Sequence, residues 1–122
     1  MSPKHILTVD DEAEVRALLL EVLKGAGYRV SAAACASEAL AVVQSDRPDL
    51  VITDLQMDET DGFDFLDSLH AVAPNIPVIL LTGVLFDPEV IGQTLGNRIS
   101  AYIEKTAPLE RILREVKRQL GN

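Results

Sequence analysis

The chain has 122 residues, 48% hydrophobic and 25% charged, and its 19 acidic against 11 basic residues give a formal net charge of -8. This length suits one domain with its own hydrophobic core, and the single cysteine, Cys35, excludes an internal disulfide. The acidic excess argues against nucleic acid as a direct partner, because phosphates would be repelled, and no apolar run reaches the ~20 residues that cross a bilayer.

The first half of the chain alternates short apolar runs with helical stripes. Residues 5–9 are too few for a helix and predict a strand, and the stripe that follows predicts a helix stopped by Gly25 and Gly27. Residues 28–33 predict a second strand. A second amphipathic helix must end before Pro48, and the β-branched run at residues 50–53 predicts a buried third strand.

The second half continues the same alternation. A third helix opens at Gly62 and closes at Pro74, and residues 78–81, apolar throughout, predict a strand covered on both faces. A fourth helix is predicted after Asp87-Pro88, a fifth strand at residues 100–104 and a last helix from about Pro108. Such βαβ units wind into a parallel sheet with helices on both faces. We therefore predict an α/β fold, with residues 1–122 forming a single domain.

Chemically active side chains follow four of the five predicted strands. Asp10 and Asp11 follow the first strand, Asp54 follows the third, Thr82 ends the fourth and Lys105 follows the fifth. The carboxyl ends of parallel strands share one edge of a sheet, where ligands of α/β proteins bind, so these side chains should converge there.

Three carboxylates at the ends of two central strands repel one another unless a cation lies between them. A few oxygen ligands with room for water favour Mg²⁺ over zinc or Ca²⁺. A metal held in this way binds phosphoryl groups, and an aspartate beside it can act as nucleophile and form an aspartyl phosphate.

These strand ends resemble those of response-regulator receiver domains over essentially the whole chain. The matching motifs are residues 6–12, 53–57, 61–62, 79–83 and 102–105. The resemblance implies a doubly wound, flavodoxin-like sheet of five parallel strands in the order 2-1-3-4-5. It also implies that Asp54 accepts phosphate from a phosphohistidine of a sensor kinase, and that Asp10 and Asp11 hold Mg²⁺ with Asp54 and the main-chain carbonyl of Gln56.

The resemblance also implies a switch. Thr82 and Lys105 would contact the phosphoryl oxygens, Thr82 would move toward the phosphoryl group and Tyr102 would turn inward. The surface formed by the fourth helix, the fifth strand and the fifth helix would then change. The chain departs from the family pattern where Thr106, in place of proline, follows Lys105, and this puts the geometry of that loop in doubt.

The resemblance defines the expected partners. We expect a sensor histidine kinase or phosphotransfer protein upstream, and a downstream protein target or an attached effector. No direct nucleic-acid contact and no membrane insertion are expected, and a homodimer linked to phosphorylation stays open. The N-terminal residues lack the long apolar region of a signal peptide, so a cytoplasmic location is expected.

Simpler interpretations remain for the individual residues. Asp10 and Asp11 can cap the first helix, and Tyr102 can be ordinary core packing. Glu12 and several other acidic residues are interpreted as solvated. The basic residues of the last helix form either a solvated face or a docking surface for an acidic partner. His5 is not proposed as a base or phosphodonor, since no partner lies at a useful spacing.

The leading interpretation is a phosphoacceptor that turns over no external substrate. Three other functions compete with it. A degenerate receiver would bind a partner without being phosphorylated. A phosphohydrolase of the haloacid dehalogenase type needs a second aspartate two residues after its nucleophile, where this chain has Gln56. A flavin-binding domain is disfavoured because Asp10-Asp11-Glu12 would repel a phosphate that no metal bridges.

Overall fold

The computed structural model describes residues 3–54, 62–83, 89 and 98–121. Within these residues the chain alternates strands and helices, as the sequence predicts. The elements are β1 (His5–Val9), α1 (Ala13–Gly25), β2 (Arg29–Ala33), α2 (Ala36–Ser45), β3 (Leu50–Thr53), α3 (Gly62–Val72), β4 (Val78–Thr82), β5 (Ala101–Glu104) and the C-terminal helix (Leu109–Leu120). Nearly all of the predicted fourth helix lies outside the described residues. None of the described helices combines the length and apolar character needed to cross a membrane.

All strand pairs are parallel and the sheet has the order β2-β1-β3-β4-β5, so the predicted topology is confirmed. The three central strands, β1, β3 and β4, are buried at every residue, whereas β2 and β5 are partly exposed. This difference is the expected one, because helices cover both faces of the sheet but the edge strands have a neighbour on one side only.

Successive residues of the central strands belong to two separate hydrophobic cores. Leu7 and Leu80 pack with α2 and α3, whereas Ile6 and Ile79 pack with α1 and the C-terminal helix. Side chains along a strand point alternately to the two faces of the sheet, so an uninterrupted apolar strand fills both cores. The two layers of helices hold the sheet between them.

The predicted stop after α1 is a left-handed cap centred on Gly27. Gly27 has a φ of 97°, its N–H donates to the carbonyl of Lys24 at 3.0 Å, and the N–H of Tyr28 donates to the carbonyl of Leu23 at 3.1 Å. This pairing satisfies the last carbonyls of the helix. Tyr28 therefore belongs to the turn, and β2 begins at Arg29, one residue later than the sequence predicts.

His5 has partners that its sequence neighbours do not supply. Its side chain is 1% exposed, its Nε2 lies 2.7 Å from the hydroxyl of Ser31 on β2, and its main-chain N–H donates to the Asp49 carboxylate at 2.8 Å. Sequence spacing could not identify this partner, because it is the parallel pairing of β1 with β2 that brings Ser31 to the imidazole.

Leu66 and Leu18 form a matched pair for testing the core. Leu66 on α3 is 1% exposed, whereas Leu18 on α1 is 46% exposed. Both lie in helices, so a change to alanine has similar effects on helix propensity. We expect Leu66→Ala to lower the free energy of unfolding by about 2–5 kcal/mol, and Leu18→Ala to change it by less than about 0.5 kcal/mol. Urea denaturation measures both, and equal losses would contradict the assigned core.

Candidate functional site

Three residues at the carboxyl edge are fixed by backbone hydrogen bonds that continue the sheet beyond the strands. The N–H groups of Asp10, Asp54 and Lys105 each donate to the carbonyl of the last residue in an adjacent strand, at 3.1, 3.2 and 2.8 Å. The three side chains therefore start from rigid positions at one edge. The structure confirms the predicted convergence of these residues.

The ammonium of Lys105 joins the carboxylates of this edge. Its Nζ lies 2.7 Å from Oδ2 of Asp54, 2.9 Å from Oδ2 of Asp10 and 3.0 Å from Oε1 of Glu12. The side chains of Asp10 and Asp54 are 4% and 3% exposed, whereas that of Glu12 is 61% exposed. An ammonium has three N–H donors, so these acceptors match its donors in number.

Burial and charge act in opposite directions on these groups. Burial alone lowers the pKa of Lys105, but its hydrogen bonds to Asp54, Asp10 and Glu12 outweigh burial and raise that pKa well above its usual value. Burial raises the pKa of Asp10, although the hydrogen bond from Glu12 and the contact with Lys105 both act to lower it. Lys105 therefore stays protonated, whereas ionisation of the buried Asp10 carboxylate costs folding free energy.

Asp10 also fixes the turn that precedes α1. Its Oδ1 accepts the main-chain N–H of Glu12 at 2.9 Å, and its carbonyl accepts a hydrogen bond from Nη1 of Arg16 at 2.7 Å. The capping interpretation of Asp10 was wrong, because the N-cap of α1 is Glu12 and no side chain caps the helix. One carboxylate oxygen of Asp10 fixes the turn before the helix and the other contacts Lys105.

The donor atoms of this edge fit a hard divalent cation. Asp10, Asp11 and Glu12 each offer one carboxylate oxygen, and these oxygens all lie within 4.8 Å of one another. Oxygen-only donors suit Mg²⁺ or Ca²⁺ rather than zinc. Asp54 is joined to the same group through Lys105. Gln56, whose carbonyl the resemblance adds to the ligands, lies outside the described residues.

The remaining predicted site residues lie on β4 and β5. Thr82 is buried at the end of β4. A Cβ atom at Gly83 would lie 3.8 Å from Cδ of Lys105, so this backbone runs alongside the lysine stem. Tyr102 is half-buried and packs against the core beneath α2 and α3. It also lines a groove of about 250 Å³ with Glu104, Ala107 and Arg111.

Sequence reasoning missed two members of the site. Glu12 was interpreted as solvated, and its side chain is exposed, but its carboxylate contacts Lys105 from 93 residues away in sequence. Arg16 was not singled out. The run Asp10-Asp11-Glu12 was the available signal for Glu12, since a third acid beside two site acids shares their surroundings.

The Asp10→Asn variant tests the electrostatics of the metal-free protein. Because the pKa of Asp10 is raised in the folded state, folding favours the protonated form, and wild-type stability falls as pH rises above about 4 through the folded-state pKa. Asparagine does not ionise and keeps an oxygen for the Glu12 N–H.

Relative to wild type, Asp10→Asn should therefore gain unfolding free energy as pH rises from 4 to 7, measured by urea denaturation in EDTA. A relative stability that stays constant or falls over this range would contradict the assignment.

Comparisons with known proteins agree with this geometry. The response regulator receiver domain profile matches residues 6–117. The transcriptional regulatory protein GlrR of Escherichia coli K12 is 39% identical over 92 residues, which are 75% of this chain and 21% of that protein. The probable transcriptional regulatory protein TcrX of Mycobacterium tuberculosis is 30% identical over 123 residues, covering 98% of this chain and 52% of that protein. The chain thus spans between about a fifth and a half of these relatives.

A solved structure has the same architecture. The CheY-like response regulator receiver domain protein of Methanospirillum hungatei JF-1 superposes with a TM-score of 0.90 at 29% identity, over 98% of this chain and 95% of that one. The parallel strand order, the acidic carboxyl edge and the profile match over almost the whole chain lead to one assignment. This chain belongs to the response regulator receiver domain family.

Proposed function

We propose that this domain is a phosphoacceptor of a two-component signalling system and that Asp54 receives the phosphate. The observation that supports the proposal most directly is the position of Asp54: its buried carboxylate lies 2.7 Å from the Lys105 ammonium at the carboxyl edge of the sheet. The donor is a phosphohistidine of a sensor histidine kinase or phosphotransfer protein.

In the proposed transfer, a carboxylate oxygen of Asp54 attacks phosphorus and the P–N bond of the phosphohistidine breaks. The bond electrons go to the imidazole, which leaves and takes up a proton. Lys105 offsets charge on the phosphoryl oxygens, and Thr82 offers its hydroxyl. Asp10, Asp11, Asp54 and the carbonyl of Gln56 would hold Mg²⁺, which would supply further charge neutralisation. The domain turns over no external substrate.

The output is proposed to pass through β5. Thr82 ends β4, and β4 pairs with β5 through Leu80 and Tyr102 and through Thr82 and Glu104. Movement of Thr82 toward a phosphoryl group therefore acts on the strand that carries Tyr102. We propose that Tyr102 turns inward and changes the surface formed by the predicted fourth helix, β5 and the C-terminal helix.

The partners on the output side are a downstream protein target or an attached effector. GlrR and TcrX are transcriptional regulatory proteins by name, and each extends well beyond the part that matches this chain. We further propose a cytoplasmic location and one receiver domain over residues 1–122. This domain is proposed to make no direct contact with nucleic acid. Its net charge of -8 favours protein partners over phosphate backbones.

Phosphorylation of Asp54 can be tested with acetyl phosphate and Mg²⁺. We expect intact-mass spectrometry to show one added phosphate on the wild type and on Asp64→Ala, which removes an exposed carboxylate of α3. Asp54→Ala should show none, because the attacking oxygen is absent. Labelling of Asp54→Ala would move the site, and no labelling of the wild type would support the phosphorylation-independent receiver instead.

The metal assignment predicts a loss of affinity in Asp11→Asn. Removing one anionic ligand should weaken Mg²⁺ binding about tenfold or more. Substitution of residues that only support metal ligands already costs about tenfold in affinity, and loss of a ligand should cost at least as much. Glu14→Gln makes the same charge change in the first turn of α1 and serves as control. Isothermal titration calorimetry measures both, and equal affinities for Asp11→Asn and wild type would remove Asp11 from the ligand set.

A further inference from the structure

Glu12 is the exposed member of the group around Lys105. The proposed phosphotransfer gives a role to Asp10, Asp54 and Lys105 but none to Glu12. Its Oε1 nevertheless lies 3.0 Å from the lysine Nζ. With 61% of its side chain exposed, Glu12 lies at the mouth of the site, outside the two buried carboxylates.

The backbone of Glu12 is fixed while its carboxylate is not. Its N–H donates to Oδ1 of Asp10 at 2.9 Å, and its carbonyl accepts the N–H of Arg16 at 3.1 Å. These two bonds fix Glu12 at the N-cap of α1. Among the described residues its carboxylate contacts one partner, Lys105, so this contact decides where the side chain lies.

The ammonium must exchange a partner when a phosphoryl oxygen arrives. Its three N–H groups face three carboxylates, so a fourth anionic partner requires one carboxylate to withdraw. Asp10 is buried and would leave an uncompensated charge if it withdrew, and the Asp54 carboxylate has to stay at the site because it attacks phosphorus. Glu12 can withdraw into water, at the small cost of an exposed ion pair. Glu12 is therefore the partner that leaves.

We propose that Glu12 is a positioning residue: it holds Lys105 over the site before phosphorylation and competes with the incoming phosphoryl group for the ammonium. This inference rests on the proposed function of Asp54 and adds a control of its rate. Glu12 slows the acceptance of anionic phosphodonors, both through this competition and through its negative charge at the mouth of the site.

The kinetic test compares Glu12→Gln with Glu14→Gln. Both remove one negative charge from the start of α1, but of these two residues only Glu12 contacts the Lys105 ammonium, at 3.0 Å. At saturating Mg²⁺, Glu12→Gln should take phosphate from acetyl phosphate about two- to fivefold faster than wild type. This factor corresponds to the strength of one exposed ion pair. Glu14→Gln should match wild type. Salt screens exposed pairs, so the difference should shrink at high ionic strength.

A second measurement follows Lys105 without metal or phosphodonor. The side-chain ¹H–¹⁵N signal of its ammonium reports how fast its protons exchange with water. Exchange should be faster in Glu12→Gln than in wild type and unchanged in Glu14→Gln, because only the first variant weakens a partner of Lys105.

These two measurements separate the inference from the proposed function. An unchanged Lys105 signal in Glu12→Gln would overturn the inference, and so would a changed signal with an unchanged phosphorylation rate. If no variant, wild type included, accepts phosphate, the proposed function fails and the rate-controlling role fails with it. The Lys105 signal would still decide whether Glu12 holds the lysine.

Discussion

The contact between the Lys105 ammonium and the buried carboxylates of Asp10 and Asp54 is the interaction on which the site depends. The ends of β1 and β3 bring two carboxylates to one place, where they repel each other and are poorly hydrated. Lysine at the end of β5 offsets that repulsion at distances of 2.7 and 2.9 Å. The sheet can therefore keep two acids inside its edge without losing its fold.

The raised pKa of Asp10 shows that this compensation is incomplete. A buried carboxylate that costs free energy when ionised is stabilised by a nearby cation, so a bound cation would lower the cost of ionising Asp10. The exposed Glu12 adds charge without that burial cost. The acidic residues behind the net charge of -8 are thus of two kinds: most are solvated, and a few are held at the carboxyl edge of the sheet.

The fold could be predicted from the sequence because the hydrophobic pattern distinguishes its strands from its helices. Apolar runs of four or five residues can fill both faces of a buried parallel strand, and they are too short for a helix. The left-handed turn at Gly27 shows the limit of this reasoning. The helix stop was predicted, but the hydrogen bond from Tyr28 back to α1 moved the start of β2 by one residue.

By itself the sequence determined the alternation of strands and helices, and the acids, hydroxyl and lysine that follow the strands, because periodicity and strand-end position are local properties. The contacts of Glu12 with Lys105 and of His5 with Ser31 were decided by the tertiary structure alone. In both, the parallel pairing and winding of the sheet bring together residues that lie far apart in sequence. A side chain's partner, unlike its place in a strand, depends on that packing.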